Sequence, residues 1–196
     1  MKEQSAYQAT DWNGQSGESW VTNQARLDAM LAVFGQAAIE AVAPEAGERV
    51  LDVGCGAGAS SMALAARVGA SGQVLGVDIS EPLISRARAL SPQETSTLFQ
   101  VADASRAELP EGAFDILFSR FGVMYFDDPT GAFLHLRRAL RPGGRVAFVC
   151  WRGRARTTGY ACPWMRSGAS SRRLPSPTPK RPAHSRSATR NAWHVS

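Results

Sequence analysis

Three glycines and three carboxylates carry the chemistry available to this sequence. Val50 to Ala59 reads VLDVGCGAGA, which places Gly54, Gly56 and Gly58 directly after a short apolar run. Lacking Cβ, such residues let a backbone bend sharply and let a ligand come close to main-chain atoms. Asp52 precedes them by two residues, Asp78 follows in LGVDIS, and Asp103 follows in QVADAS. GCGAGA satisfies G-x-G-x-x-G/A and Asp78 lies about twenty residues further on, so a dinucleotide fingerprint is formally matched. Each acid closes a successive apolar run, and three neighbouring strands would bring all three to one cleft.

Asp52 separates the ligands that such a cleft could take. A carboxylate there repels a pyrophosphate seated on a helix N-terminus. It suits a ligand whose nearby groups are an ammonium and a sulfonium, a pattern that S-adenosylmethionine has and NAD lacks. On that reading Asp78 accepts hydrogen bonds from ribose hydroxyls and Asp103 accepts from an adenine amino group. Ile79 and Ala104 then offer apolar contact to the base. Asp127 and Asp128, before Pro129, read more simply as a capping turn than as a catalytic base. His135 reads as a surface or packing residue and Cys55 as small filler. Cys55, Cys150 and Cys162 have no metal-ligand spacing, so no metal is expected.

The elements that must position these groups follow from periodicity. Leu27, Met30, Leu31, Phe34, Ala38, Ile39 and Val42 recur at spacings of three and four, predicting an amphipathic helix over 22–42. Strands are expected at Arg49–Val53, Val74–Val77, Thr97–Val101, Phe114–Phe118 and Arg145–Val149, the last behind a turn at Arg141–Gly144. Helices are expected at Ala59–Val68, at Ser80–Leu90 with Ser80 as cap, and at Thr130–Leu140. Strands alternating with helices predict an α/β fold, a doubly wound parallel sheet covered on both faces. Its ligand belongs at the carboxyl ends of the strands, where the strand order reverses.

With these residues in place, the chain resembles the class I S-adenosylmethionine-dependent methyltransferases of the bacterial small-molecule type, with a Rossmann-like sheet. The resemblance spans about Trp12 to Trp151 and includes FDILFSRFGVMYFDDP and LRPGGRVAFVCW. It implies cofactor contacts at Gly54, Gly56, Gly58, Asp78, Ile79, Asp103 and Ala104, with Ser119, Arg120 and Phe121 lining the cofactor's methionine end. DWNGQSGESWVTNQARLD is similar to a lid that covers the cofactor in one bacterial subgroup. Residues 1–46 are therefore expected as a helical lid and 47–151 as the cofactor-binding core. Trp20 suits the lid and plain packing equally. No catalytic residue is assigned, because an activated methyl can be transferred by positioning and desolvation.

The net charge of +5 hides a break in composition. Residues 152–196 carry ten basic side chains and no acid, whereas the first 150 residues have a net charge of −5. This Arg/Pro/Ser-rich tail departs from the family and has almost no apolar periodicity, so the last strands of the sheet are expected to be missing and the tail disordered. Read in the alternate frame with GC-rich codons, Thr178 to Val195 permits acidic, apolar sequence, and Trp193 followed by His194 forces an alanine. A frameshift between about Gly153 and Thr157 is the expected cause, with weak or no turnover as its consequence. The sequence shows no signal-peptide-like or membrane-spanning stretch, which points to the cytoplasm. A small-molecule methyl acceptor is expected as partner, and nucleic acid is not. An NAD(P)-dependent oxidoreductase and a non-catalytic fragment with a basic tail stand as the alternatives.

Overall fold

The computed structural model describes residues 10–91 and 96–151. The expectations for the tail, both its disorder and its frame, lie outside the described residues. After a short helical turn at 10–12 come α1 (Gln15–Thr22) and α2 (Gln24–Val42). Then β1 (Arg49–Val53), α3 (Ala59–Val68), β2 (Gln73–Asp78), α4 (Glu81–Leu90) and β3 (Thr97–Val101) alternate. β4 (Phe114–Arg120), a 3-10 turn at Val123–Tyr125, α5 (Pro129–Ala139) and β5 (Leu140–Val149) complete the described elements.

The sheet is parallel throughout, in the order β3-β2-β1-β4-β5. The chain winds outward from β1 in one direction and then returns to its other side, so the order reverses between β1 and β4. Strand alternation sends successive side chains of β1 to opposite faces. Val50 packs with Ile39 and Val42 of α2, Leu64 and Val68 of α3, and Ile116 and Phe118 of β4. Leu51 and Val53 pack with Val77, Leu117 and, from α5, Leu136 and Ala139. A near-continuous apolar strand such as β1 is what a sheet covered on both faces requires.

Three expectations change in detail. The helix expected over 22–42 is present as α2, starting at Gln24, and a helix not expected from the sequence, α1, precedes it across Asn23. Ile39 and Val42 put the C-terminal half of α2 in the core as a layer of the fold, while Asp28 and Phe34 nearer its start meet Arg120 and Phe121 at the end of β4. The turn expected at Arg141–Gly144 is a bulge inside β5: Leu140 pairs with Phe114, whereas Arg145 already pairs with Ile116. Pro142 offers no N–H to a ladder, and Gly143 has φ of 77°, so the strand must loop out there.

At the amino end of the sheet, Arg145 grips Glu48 through two bonds of 2.8 and 2.7 Å and donates from Nε to Val42 O at 3.0 Å. The pair ties the end of α2 and the start of β1 to β5, leaving the carboxyl end free for chemistry.

Candidate cofactor cleft

The glycine turn leaves β1 at the reversal point, and its three glycines divide the work. A Cβ on Gly54 would stand 2.5 Å from Cα of Gly122, and one on Gly122 would stand 2.5 Å from Val53 O. The loops after β1 and β4 therefore touch backbone to backbone, with Gly54 at φ 68°. Gly58 is buried, and a side chain there would strike the Phe99 ring at 2.8 Å. Gly56 alone looks onto open space: at φ 57° a Cβ would meet nothing within 4 Å. Packing explains Gly54 and Gly58, and the open cradle belongs to Gly56.

Asp78 ends β2 and holds that cradle in shape. Its Oδ2 accepts from the Gly56 N–H at 2.8 Å and its Oδ1 from the Ser80 N–H at 2.9 Å. Burial pushes the carboxyl above its ordinary range, against the N–H groups of Ser80, Gly56 and Ile79, which favour the ionised form. Asp103, after β3, takes the Ser105 N–H and hydroxyl at 2.9 and 2.6 Å and pairs with Arg106 at 2.7 Å. Burial would raise its pKa, but the Ser105 bonds and Arg106 outweigh it and hold the carboxyl below its ordinary range. Both acids lie at the carboxyl ends of their strands, partly exposed, as the spacing implied.

Three of the sequence-derived roles need correction. Asp52 does not face a cleft: it is 0% exposed, on the Val50 face of β1, with Oδ2 accepting from Ser60 and Ser61 hydroxyls at 2.7 and 2.6 Å. Ser119 is equally buried. Its hydroxyl donates to Val53 O at 2.7 Å and accepts from Gly122 and Val123 N–H, so it joins the two loops rather than lining a ligand site. Ala104 packs largely into the core cluster with Val53 and Val77, which leaves Ile79 as the better-placed apolar residue. Arg120, the last residue of β4, and Phe121 just after it are both largely buried. Phe121 adopts φ of 68°, a costly conformation for a bulky residue and a mark of functional loops. Arg120 pairs with Asp28 of α2 at 3.1 Å, and Asp28 accepts in turn from Gln24 at 3.3 Å.

Sequence reasoning missed the parts that bring the N-terminal segment down onto the cleft. Asn13 donates to Ile79 O at 3.0 Å and accepts from the Glu81 N–H at 2.8 Å, while Ser80 donates to Trp12 O at 2.6 Å. Trp12 meets Trp20 and Tyr125 edge to face, with centroids 5.7 and 5.8 Å apart. The segment thus bridges the loops after β2 and β4, the strands that flank β1. Gly17 permits the close approach, since a Cβ there would lie 2.1 Å from Trp12 O. The Asn13-Gly14 pair was a legible turn signal, but its partners are more than sixty residues away.

The remaining candidates keep their structural readings. Asp128 caps α5 by accepting from the Gly131 N–H at 3.0 Å, and His135 bonds Ala107 O at 2.8 Å. Cys55 is buried, and burial together with Asp52 and Asp78 raises its thiol pKa well above the ordinary value. Among the described residues there is no cluster of metal ligands, and no helix is long and apolar enough to cross a membrane.

Comparison with known proteins places this chain in a wide group. A family model described as a methyltransferase domain matches residues 51–148. Aklanonic acid methyltransferase of a Streptomyces species is 34% identical over 118 residues, 59% of this chain and 54% of that protein. Nocamycin O-methyltransferase of Saccharothrix syringae is 35% identical over 114 residues, 57% of this chain and 40% of that one. Phosphoethanolamine N-methyltransferase 2 of Haemonchus contortus, solved with S-adenosyl-L-methionine, is 31% identical with a TM-score of 0.54, covering 58% of this chain and 27% of that one. The chain spans about half or less of the length of these relatives.

Proposed function

The chain belongs to the class I S-adenosylmethionine-dependent methyltransferases, and from that premise we propose that it holds this cofactor across the carboxyl ends of β1 to β4 and methylates a small molecule. The observation that carries the reading is the open cradle at Gly56, bounded by the Asp78 carboxylate, at the point where the strand order reverses. The charges nearby fit a cationic ligand better than a pyrophosphate: the Arg120 guanidinium that acts on Asp52 is already paired with Asp28, and Asp78 adds a second carboxylate beside Asp52.

S-adenosylmethionine, when bound, supplies an activated methyl group on a sulfonium sulfur. The protein's own residues then have three tasks. Asp78 accepts from ribose hydroxyls with the oxygen lone pairs that Gly56 and Ser80 leave free, and Ile79 covers the base. Asp103 reaches the adenine amino group once the exposed Arg106 swings aside. Arg120 and Phe121 border the methionine end, and Trp12, Trp20 and Tyr125 exclude water from above, which strengthens every charge interaction beneath. Asp128 is spent on capping α5, so positioning and desolvation supply the catalysis.

The proposed acceptor class, a small molecule, follows the relatives, whose names include aklanonic acid and phosphoethanolamine. Titration calorimetry with S-adenosylhomocysteine and NADH tests the cofactor reading. Saturable heat with the first and none with the second is expected; the reverse would return the chain to the dinucleotide-binding oxidoreductases. Transfer of labelled methyl to a panel of aromatic acids, quinones and amines tests the acceptor, and label confined to protein or RNA would overturn it.

A further inference from the structure

We propose that Asp52 selects ligand charge: from beneath the glycine turn its carboxylate favours a cofactor with positive charge at sulfur over the neutral thioether left after methyl transfer. This rests on the cofactor reading above. Asp52 is wholly buried, and while Oδ2 takes both serine hydroxyls, Oδ1 is shielded from solvent with no hydrogen-bond partner. A buried carboxylate oxygen left without a donor is costly. Anchoring the first turn of α3 through Ser60 and Ser61 would need only an amide oxygen, so the charge itself has no structural task.

The groups facing Asp52 come from four elements. Ser60 and Ser61 face it from α3, Cys55 from the turn, Asp78 from β2 and Arg120 from β4, with Asp28 of α2 behind Arg120. Arg120 is already paired with Asp28 and cannot cancel the carboxylates of Asp52 and Asp78 as well. Among these side chains, three carboxylates therefore share one guanidinium. Asp52 precedes Gly54 by two residues, so its Cα lies within about 7 Å of the turn's. Across poorly screened protein at such range, one unit charge changes an affinity on the order of tenfold. Methyl transfer removes one positive charge from sulfur, so the same carboxylate that helps to hold the cofactor helps to release its product.

Calorimetry on the full chain and on Asp52→Asn, with S-adenosylmethionine, S-adenosylhomocysteine and sinefungin, reads this directly. Sinefungin carries an amine where the methylsulfonium would be. The variant is expected to bind the two cationic ligands on the order of tenfold more weakly, with S-adenosylhomocysteine nearly unchanged. Equal loss for all three ligands, or no loss, overturns the proposal and leaves Asp52 a packing residue. If Asp52→Asn fails to fold, the ratio of S-adenosylmethionine to S-adenosylhomocysteine affinity is measured in the unaltered chain as pH is lowered from 7 as far as the fold persists. Burial raises the Asp52 carboxyl above its ordinary range, so the ratio should fall as acid neutralises it. Asp78 adds to the same field, so the titration is repeated on Asp78→Asn, where the fall should persist; a constant ratio in either protein overturns the proposal. An unaltered chain that binds none of the three refutes the cofactor reading, a result distinct from a ratio that does not move.

Discussion

Replacing Gly17 with alanine sets helix propensity against tertiary fit. Within α1, alanine is favoured over glycine by about 1 kcal/mol, so local energetics predict a gain. The structure predicts a loss, because the new Cβ would sit 2.1 Å from Trp12 O and 3.0 Å from Ser80 Oγ. The carbonyl must move, and with it go the Ser80 bond to Trp12 and the two Asn13 bonds to Ile79 and Glu81. The Asn13 bonds are exposed and count at the low end, while the Ser80 bond is partly buried. Together the three contribute roughly 2–3 kcal/mol to docking of the segment. After the helical gain is subtracted, docking weakens by about 1–2 kcal/mol, which corresponds to a five- to thirtyfold faster release of S-adenosylhomocysteine. Stopped-flow dissociation reads the rate, and hydrogen exchange at the Glu81 amide, which Asn13 holds, reads docking of the N-terminal segment. Because residues 10–22 lie outside the two apolar clusters, the melting temperature should move little. An unchanged dissociation rate with an unchanged Glu81 amide would refute the reasoning.

Gly122→Ala drives a methyl group against Val53 O and Gly54 Cα and should cost about 3 kcal/mol or more by denaturant titration; a cost below about 0.5 kcal/mol would mean that the two loops separate freely. Glu48→Gln tests the amino-end clamp, a mostly buried bidentate pair whose loss should cost roughly 2–3 kcal/mol at pH 7. Burial raises the Glu48 carboxyl, but Arg145 outweighs it and the folded pKa is lowered. The clamp's contribution is therefore fully present above the unfolded value near 4.3 and is lost as pH falls through the lower folded value. The gap in melting temperature between the unaltered chain and the variant should close as pH drops from 7 towards 3. Sequencing the DNA around codons 150 to 160 should reveal a one-base change whose other frame restores strand-helix alternation; stop codons in that frame would remove the explanation for the basic tail.

The sheet was legible because its strands are short apolar runs bounded by glycine. β1, α3 and β3 fall on their expected bounds, and the reversal beside β1 follows from parallel winding. Asp78 and Asp103 were legible for the same reason, as polar residues closing apolar strands. The burial of Asp52 could have been read from alternation, which puts it on the face of Val50, above two serines at the start of α3. A residue-type argument about charge overrode that periodicity. The break at Asn23 carries no proline or glycine to announce it. The hold of Asn13 on the β2 loop, and the need for Gly17, depend on partners brought near only by the finished fold. That Gly54 and Gly58 are also required for packing could not be read from spacing, since the Gly122 backbone and the Phe99 ring reach them only in the finished fold.

A crystal structure of the chain grown with S-adenosylhomocysteine tests the central claim most directly. Ribose hydroxyls within hydrogen-bond distance of Asp78, the base against Ile79 and the amino-acid end toward Arg120 are the predicted result. Ligand density away from the turn at Gly56, or a cradle filled by protein side chains with the ligand excluded, would contradict the account.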